Sequence, residues 1–247
     1  MSRFYVPRGS VKGDRILVAG KEAHHILDVM RLNVSDEVVI FDGTGREYTG
    51  IVKAADRKSL EIEIKSTRES QSGKSPILTL IQAITKKDKM DYIAEKATEL
   101  GVSRIIPVTT MRTIPDWDDA KKAGVVERWR KIAQEAAKQC GRADIPEVSS
   151  IVSLEEAIQN CSRAPLKVHY CLMAALSDKA IRLKDALKGN SSKNVTIAIG
   201  PEGDFTPGEA EDALRAGFKI VSLGQRVLKS DTAGLAALSM INYEYES

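Results

Sequence analysis

The sequence predicts an α/β domain with a mainly parallel sheet, preceded by a small β-barrel, and three observations carry that prediction. Up to about residue 70 the chain reads as short strands with period-two alternation, clearest in Leu60-Glu61-Ile62-Glu63-Ile64. Ser66 to Ser75 is polar, contains Gly73 and has no large apolar residue, which marks a linker. After Pro76, apolar strands alternate with amphipathic helices, the pattern of a parallel sheet covered by helices. The expected domains are therefore 1–70 and 76–247.

In the first domain, strands are expected at Arg15 to Val18, Glu37 to Phe41, Glu47 to Lys53 and Ser59 to Ile64. Asp42-Gly43-Thr44-Gly45 turns the chain between two of them, and Lys21 to Met30 reads as one short helix. In the second, strands are expected at Ile77 to Ile84, Arg104 to Val108, Leu166 to Leu172, Val195 to Ile199 and Lys219 to Leu223. Asp88 can cap a helix whose Met90, Ile93, Ala94, Ala97 and Leu100 share one face, and Gly101 stops it. A longer helix carries Val125, Val126, Trp129, Ile132, Ala133, Ala136, Ala137 and Cys140, with Trp129 expected in the core and Cys140 packed. Ser153 with Glu156, and Thr206-Pro207-Gly208-Glu209, are capping boxes; Gly217 ends the helix begun by the second. The last helix, Thr232 to Tyr243, is apolar on several faces and should be well buried, inside the domain or against another subunit.

Composition bounds the function. A chain of 247 residues, 43% hydrophobic and 29% charged, can bury a substantial core. No apolar run approaches the roughly 18 residues of a membrane span, and Met1 to Pro7 lacks the apolar core of a signal peptide, so the cytoplasm is the expected location and no membrane partner is expected. Three cysteines without CxxC spacing and three histidines indicate neither a disulfide framework nor a metal site. A net charge of +3 does not establish nucleic-acid binding. Between Met1 and Glu22, however, Arg3, Arg8, Lys12, Arg15 and Lys21 outnumber Asp14 and Glu22, which suits either phosphate contacts or a solvated edge.

Three glycine-bearing loops crowd the last quarter: Ile199-Gly200-Pro201-Glu202-Gly203-Asp204, Leu223-Gly224-Gln225-Arg226, and Val227 to Gly234. Two follow directly on strands, and ligands of open α/β sheets bind at the carboxyl ends of strands, so these loops converge on one site if their strands are neighbours. Each glycine alone is equally a tight turn. Neither GxGxxG, GxxxxGK[ST], Gly-x-Ser-x-Gly nor HExxH occurs, which removes the matching nucleotide-binding, hydrolase and metalloprotease readings.

Phe4-Tyr5-Val6-Pro7, His25 to Arg31, Lys89-Met90-Asp91-Tyr92 with Glu99 to Val102, Gln139-Cys140-Gly141-Arg142 with Ile145-Pro146, Ile199 to Gly203, and Leu223 to Leu228 form an ordered set of motifs that runs nearly end to end. By these motifs the chain resembles the RsmE family. The resemblance implies a PUA-like RNA-binding barrel followed by a SPOUT α/β trefoil knot, with the knot and cofactor site at about 195–240. It also implies methylation of uridine N3 in 16S ribosomal RNA or the 30S particle, with S-adenosyl-L-methionine as cofactor, no metal and a homodimeric state. The knot is an exception to the rule that chains do not thread their own loops. Carried over residue by residue, the cofactor lies against Ile199, Gly200, Pro201, Glu202, Gly203, Leu223, Gly224, Gln225, Val227, Leu228 and Ala233, with Leu172 and Met173 as weaker candidates for an apolar wall.

Two departures stand out. Where the family typically reads Leu-Arg-x-Glu-Thr, this chain has Leu228-Lys229-Ser230-Asp231-Thr232, and where a second glycine commonly follows Gly203 it has Asp204. Methyl transfer from a sulfonium needs alignment and removal of the N3 proton. The catalytic candidates are Arg226, to stabilise negative charge on the uracil, and Asp231 or Glu202, as proton acceptor or orienting charge; Asp231 also suits a helix N-cap. RNA-binding candidates are Arg3, Arg8, Arg15, His25, Arg31, Lys86, Lys89 and Arg142, with packing or a solvated face as the other reading of the histidine and the lysines. Alternatives are a non-catalytic RNA-binding or assembly factor that keeps the knot, a SPOUT methyltransferase with another RNA target, and a metabolic enzyme acting on a small molecule.

Overall fold

The structure, a computed structural model, describes residues 3–56, 58–69, 76–85, 89–113, 117–162 and 169–245. Lys86, Lys87, Asp88, residues 70–75 of the expected linker and residues 166–168 of an expected strand lie outside the described residues. The chain divides into two compact units, one of residues 1–72 with 137–145, the other of residues 73–136 with 146–247.

In the first unit, β1 (Arg3–Tyr5), β2 (Val11–Lys12), β3 (Arg15–Ala19), β4 (Glu37–Phe41), β5 (Arg46–Ala55) and β6 (Ser59–Glu69) form a curled six-stranded sheet in the order β1-β4-β5-β6-β3-β2. All pairs are antiparallel except β1 with β4. Alternation works as expected: Ile16 and Val18, Val38 and Ile40, and Leu60 and Ile62 are buried together with Phe4, Tyr48 and Ile26. The helix expected over Lys21 to Met30 is α1 (Lys21–His24) continued by a π-helical turn, His25–Val29. Ala23 and Ile26 reach the core from it, while Val29 and Met30 stay exposed. The buried Asp42 carboxylate accepts from Thr44 N, Thr44 Oγ1 and Tyr48 Oη, which shapes the Gly43–Gly45 turn. That turn bonds to the 143–145 segment through Gly45 N to Ala143 O and Ile145 N to Gly43 O, both 3.0 Å.

The second unit is a sheet of eight strands, all parallel. Its elements are β7 (Ile77–Ala83), α2 (Lys89–Glu99), β8 (Arg104–Thr109), α3 (Asp119–Cys140), β9 (Glu147–Val148), β10 (Val152–Ser153), α4 (Leu154–Ser162), β11 (His169–Ala174), β12 (Ile181–Arg182), α5 (Leu183–Leu187), β13 (Asn194–Ile199), α6 (Pro207–Arg215), β14 (Lys219–Ser222) and α7 (Ser230–Tyr245). The strand order is β10-β8-β7-β13-β11-β14-β12, with β9 also on β8. Successive side chains point to opposite faces, so each strand feeds two cores. Leu78, Leu80, Val195, Ile197, Leu172 and Val221 pack against α2, α3, α5 and α7, and Trp129 is buried there as expected. Ile81, Ala83, Ala198, Cys171, Met173 and Ile220 pack against α4 and α6 on the other face.

The capping box of Thr206 and Glu209 is complete, and Gly217 follows α6 with φ +88°. At α4, Glu156 N donates to Ser153 Oγ (3.1 Å). One expectation fails locally: Cys140, the last residue of α3, is exposed, not packed. The final helix buries Ser230, Gly234, Ala237, Leu238 and Ile241 within the domain, while Met240 and Tyr243 are exposed.

The path of the last forty residues sets the site. From β13 the chain passes to β14, on the far side of β11, and then returns so that α7 packs on α2, β13 and β7. At the return, buried Ser230 Oγ donates to Gly200 O (2.5 Å) and accepts from Gln82 Nε2 (3.0 Å). This return draws all three glycine-bearing loops to one end of the sheet.

Glycine 50 tests the packing of the first unit. It stands at a register shift in the β5–β6 ladder, and an added Cβ would lie 2.5 Å from Ile62 Cγ2 and 2.7 Å from Glu63 O. Gly50→Ala is therefore expected to destabilise the protein by about 1–3 kcal/mol in chemical denaturation. Gly9→Ala, where nothing lies within 4 Å, should stay within about 0.5 kcal/mol.

Candidate active site

A cavity of about 260 Å³ opens at the carboxyl ends of β11, β13 and β14, toward the small end of ligand sites. Because β13 and β14 flank β11, the loops that follow them face each other across the loop that follows β11. Ile199, Gly200, Pro201 and Glu202 form one wall, Leu223, Gly224, Val227 and Leu228 another, and Ala233 approaches from the first turn of α7. Arg226 is at the rim, exposed, with no ion-pair partner among the described residues.

Not every expected cofactor residue reaches the cavity. Leu172 is fully buried in the core beneath α2 and α7, and Met173 is fully buried on the opposite face. The wall is made further along by Ala174, Ala175 and Leu176, since β11 runs on to Ala174. Gly203 and Gln225 lie outside the lining, and Gly203 O instead accepts from Arg112 Nη1. Sequence reasoning missed Ala174 to Leu176, Val221, Ser222 and Ser230 as site residues, and singled out Lys229 and Asp204 as departures. The strand-end rule points to Ala174 to Leu176 once the end of β11 is placed correctly.

The charged groups form two sets. Lys89 Nζ lies 2.8 Å from Glu202 Oε1 at the pocket edge, and this hydrogen-bonded carboxylate raises the Lys89 pKa, with a further push from the nearby charge of Asp231. Asp231 is not the N-cap. Lys229 O already accepts Ala233 N–H (2.7 Å), so α7 begins at Ser230 and Asp231 sits in its first turn, where an acid complements the helix dipole. Its Oδ1 accepts from Thr232 N (2.9 Å), and it does not line the cavity.

Among the RNA-binding candidates, Arg8, His25 and Arg31 are exposed; His25 stands edge-on to Phe4, and Arg31 adopts φ +55°. Lys86 lies outside the described residues, and Arg3, Arg15, Lys89 and Arg142 are engaged within their own units. Arg3 Nε bonds Glu47 (2.9 Å) with its guanidinium over Phe41, Arg15 pairs with Glu61 (2.8 Å), and Arg142 pairs with Asp144 (2.5 Å). Among the described residues no cluster of three His, Cys, Asp or Glu could hold a metal, and no helix is long and apolar enough to cross a membrane.

The pocket suits a nucleoside-bearing cofactor by its chemistry. Its walls join apolar side chains (Ile199, Val221, Leu223, Leu228) to the backbone of Gly200 and Gly224, which can face an aromatic base and the polar edges of a sugar.

Comparison with known proteins agrees with the fold. Residues 73–242 match the family of the RNA methyltransferase domain, and residues 18–65 match the RNA methyltransferase PUA domain. The ribosomal RNA small subunit methyltransferase E of Bacillus subtilis (strain 168) is 31% identical over 239 residues, covering 93% of this chain and 90% of its own. That of Mycobacterium bovis is 29% identical, covering 96% and 90%. The crystal structure of a ribosomal RNA small subunit methyltransferase E from Neisseria gonorrhoeae bound to S-adenosyl methionine superposes with TM-score 0.84 at 32% identity, over 98% of this chain and 97% of that one. With both domains matched in order and the likeness spanning almost the whole chain, the protein belongs to the ribosomal RNA small subunit methyltransferase E family of RNA methyltransferases.

Proposed function

We propose that the protein transfers the methyl group of S-adenosylmethionine to N3 of a uridine in 16S ribosomal RNA, as naked RNA or in the 30S particle, acting in the cytoplasm as a homodimer. The observation that carries this reading is the pocket formed by three backbone loops at the carboxyl ends of β11, β13 and β14, in a chain whose relative from Neisseria gonorrhoeae was solved with that cofactor. The cofactor supplies an electrophilic methyl group, and the protein's own residues supply alignment, charge and a route for the proton.

In this reading Gly200, Pro201, Leu223, Gly224, Leu228 and Ala233 hold the cofactor. Arg226, at the rim with no ion-pair partner among the described residues, faces the incoming base and stabilises negative charge on the uracil as N3 loses its proton. Of the two carboxylates on the pocket lining, Asp204 has its oxygens bonded to backbone N–H groups, and Glu202 serves as proton acceptor, with Lys89 fixing its position. Asp231 adds a second charge near Lys89 and orients that pair. Exposed Met240 and Tyr243 support a partner subunit against α7. The first unit serves as the RNA platform, with Arg8, His25 and Arg31 as its displayed contacts.

Two experiments test this. In single-turnover methylation of 16S RNA, Arg226→Ala is expected to lower the rate roughly 10²-fold while cofactor affinity changes little. Glu202→Gln should cost about 10²-fold or more, the scale of a general base, and Asp231→Asn markedly less; the reverse ranking would move the proton acceptor to Asp231. In RNA binding, neutralising Arg8 and Arg31 together should flatten the salt dependence by about 0.7 log–log units per lost contact. Arg3→Ala, which removes an internal ion pair, should leave that slope unchanged.

A further inference from the structure

The parallel ladder between β11 and β13 ends at the pair Ala174 and Ile199. Beyond it the two loops diverge around the pocket, and the Leu176 N–H would have no strand to pair with. Asp204 fills that gap. Its Oδ2 accepts from Leu176 N at 2.7 Å and its Oδ1 from Phe205 N at 2.8 Å, while its own N–H donates to Pro201 O at 3.0 Å. The residue has φ +62°, a conformation in which glycine is at ease and an aspartate needs compensation. Both Asp204 and the 69% exposed Leu176 line the cavity, on opposite loops. On the outer side, Arg112 Nη1 donates to Gly203 O and to Phe205 O, so the loop is gripped from both flanks of Asp204.

We propose that Asp204 is a positioning residue, whose carboxylate ties the Leu176 loop to the Gly200–Phe205 loop and thereby sets the width of the cofactor pocket. This rests on the reading of that pocket as the S-adenosylmethionine site. A carboxylate accepting backbone N–H groups makes a charge-assisted bond, stronger than a neutral one, and no other side chain among the described residues bonds the two loops together. Asp204 acts through the loops it holds, with both oxygens committed to backbone donors.

The test compares the full-length wild type with Asp204→Gly and Asp204→Asn. In ligand-free protein, hydrogen exchange at the Leu176 amide should speed up about tenfold or more in Asp204→Gly, the scale of one lost hydrogen bond to a charged group. Calorimetry should show S-adenosylmethionine bound about five- to tenfold more weakly, and kinetics a rise in KM for the cofactor that exceeds the fall in kcat. Asp204→Asn should fall between the two, because its single amide oxygen can still accept from Leu176 N but not from both donors. Thermal stability should not drop in Asp204→Gly, since glycine suits the left-handed backbone. Unchanged exchange at Leu176, or wild-type cofactor affinity in Asp204→Gly, would overturn the proposal. A wild-type protein that bound no S-adenosylmethionine would instead overturn the reading of the pocket, and the exchange result would still report on the tie between the loops.

Discussion

The return of the C-terminal helix across the sheet is the constraint on which the site depends. Two small residues permit it. Gly234 lets α7 settle onto β7 and β13, where a Cβ would already stand 3.0 Å from Gln82 Oε1, and Ser230 joins the helix start to Gln82 and to Gly200 O. Gln82 and Ser230 are both buried, so their bond forms in a low dielectric, where a lost partner is costly. Were this crossing loosened, the Leu223–Lys229 segment would no longer stand opposite Gly200–Asp204, and the cavity would have one wall.

Chemistry at the site follows from the same arrangement. The cavity is walled largely by backbone and apolar groups; of its charged lining residues, Asp204 is tied to backbone N–H groups, Glu202 pairs with Lys89, and Arg226 and Lys229 have no ion-pair partner among the described residues. Such a division suits methyl transfer, in which the reacting sulfonium brings its own driving force and the protein must mainly align two partners and manage one proton. The replacement of arginine by Lys229 fits this picture, because Lys229 contributes to the pocket lining without any ion pair among the described residues.

In the first unit, charge that looked available for RNA is partly spent on structure. Arg3 lies over Phe41 and bonds Glu47, and Arg15 bonds Glu61 across the β3–β6 pair. Besides Arg8, His25 and Arg31 remain displayed at and just after the π-helical turn, where they face outward while Ile26 anchors the segment in the core. Irregular helical turns of this kind recur at functional positions.

Period-two alternation in Leu60 to Ile64, the apolar stripe of Met90 to Ala97 and the turn chemistry of Thr206 to Glu209 determined the strands, helices and caps from the sequence alone, because each is a local preference written within a few residues. Glycine-bearing loops after two strands likewise pointed to a site near residues 199–234. Only the tertiary structure decided that β13 and β14 flank β11, that β11 runs on to Ala174 so that the wall is Ala174 to Leu176 and not Leu172, and that α7 begins at Ser230 with Asp231 inside its first turn. The same holds for the pairing of Lys89 with Glu202, 113 residues apart, and of Asp204 with Leu176. These are contacts between segments distant in sequence; no local pattern encodes them, since they arise only when strand order and the return of the last helix bring the segments within hydrogen-bonding distance.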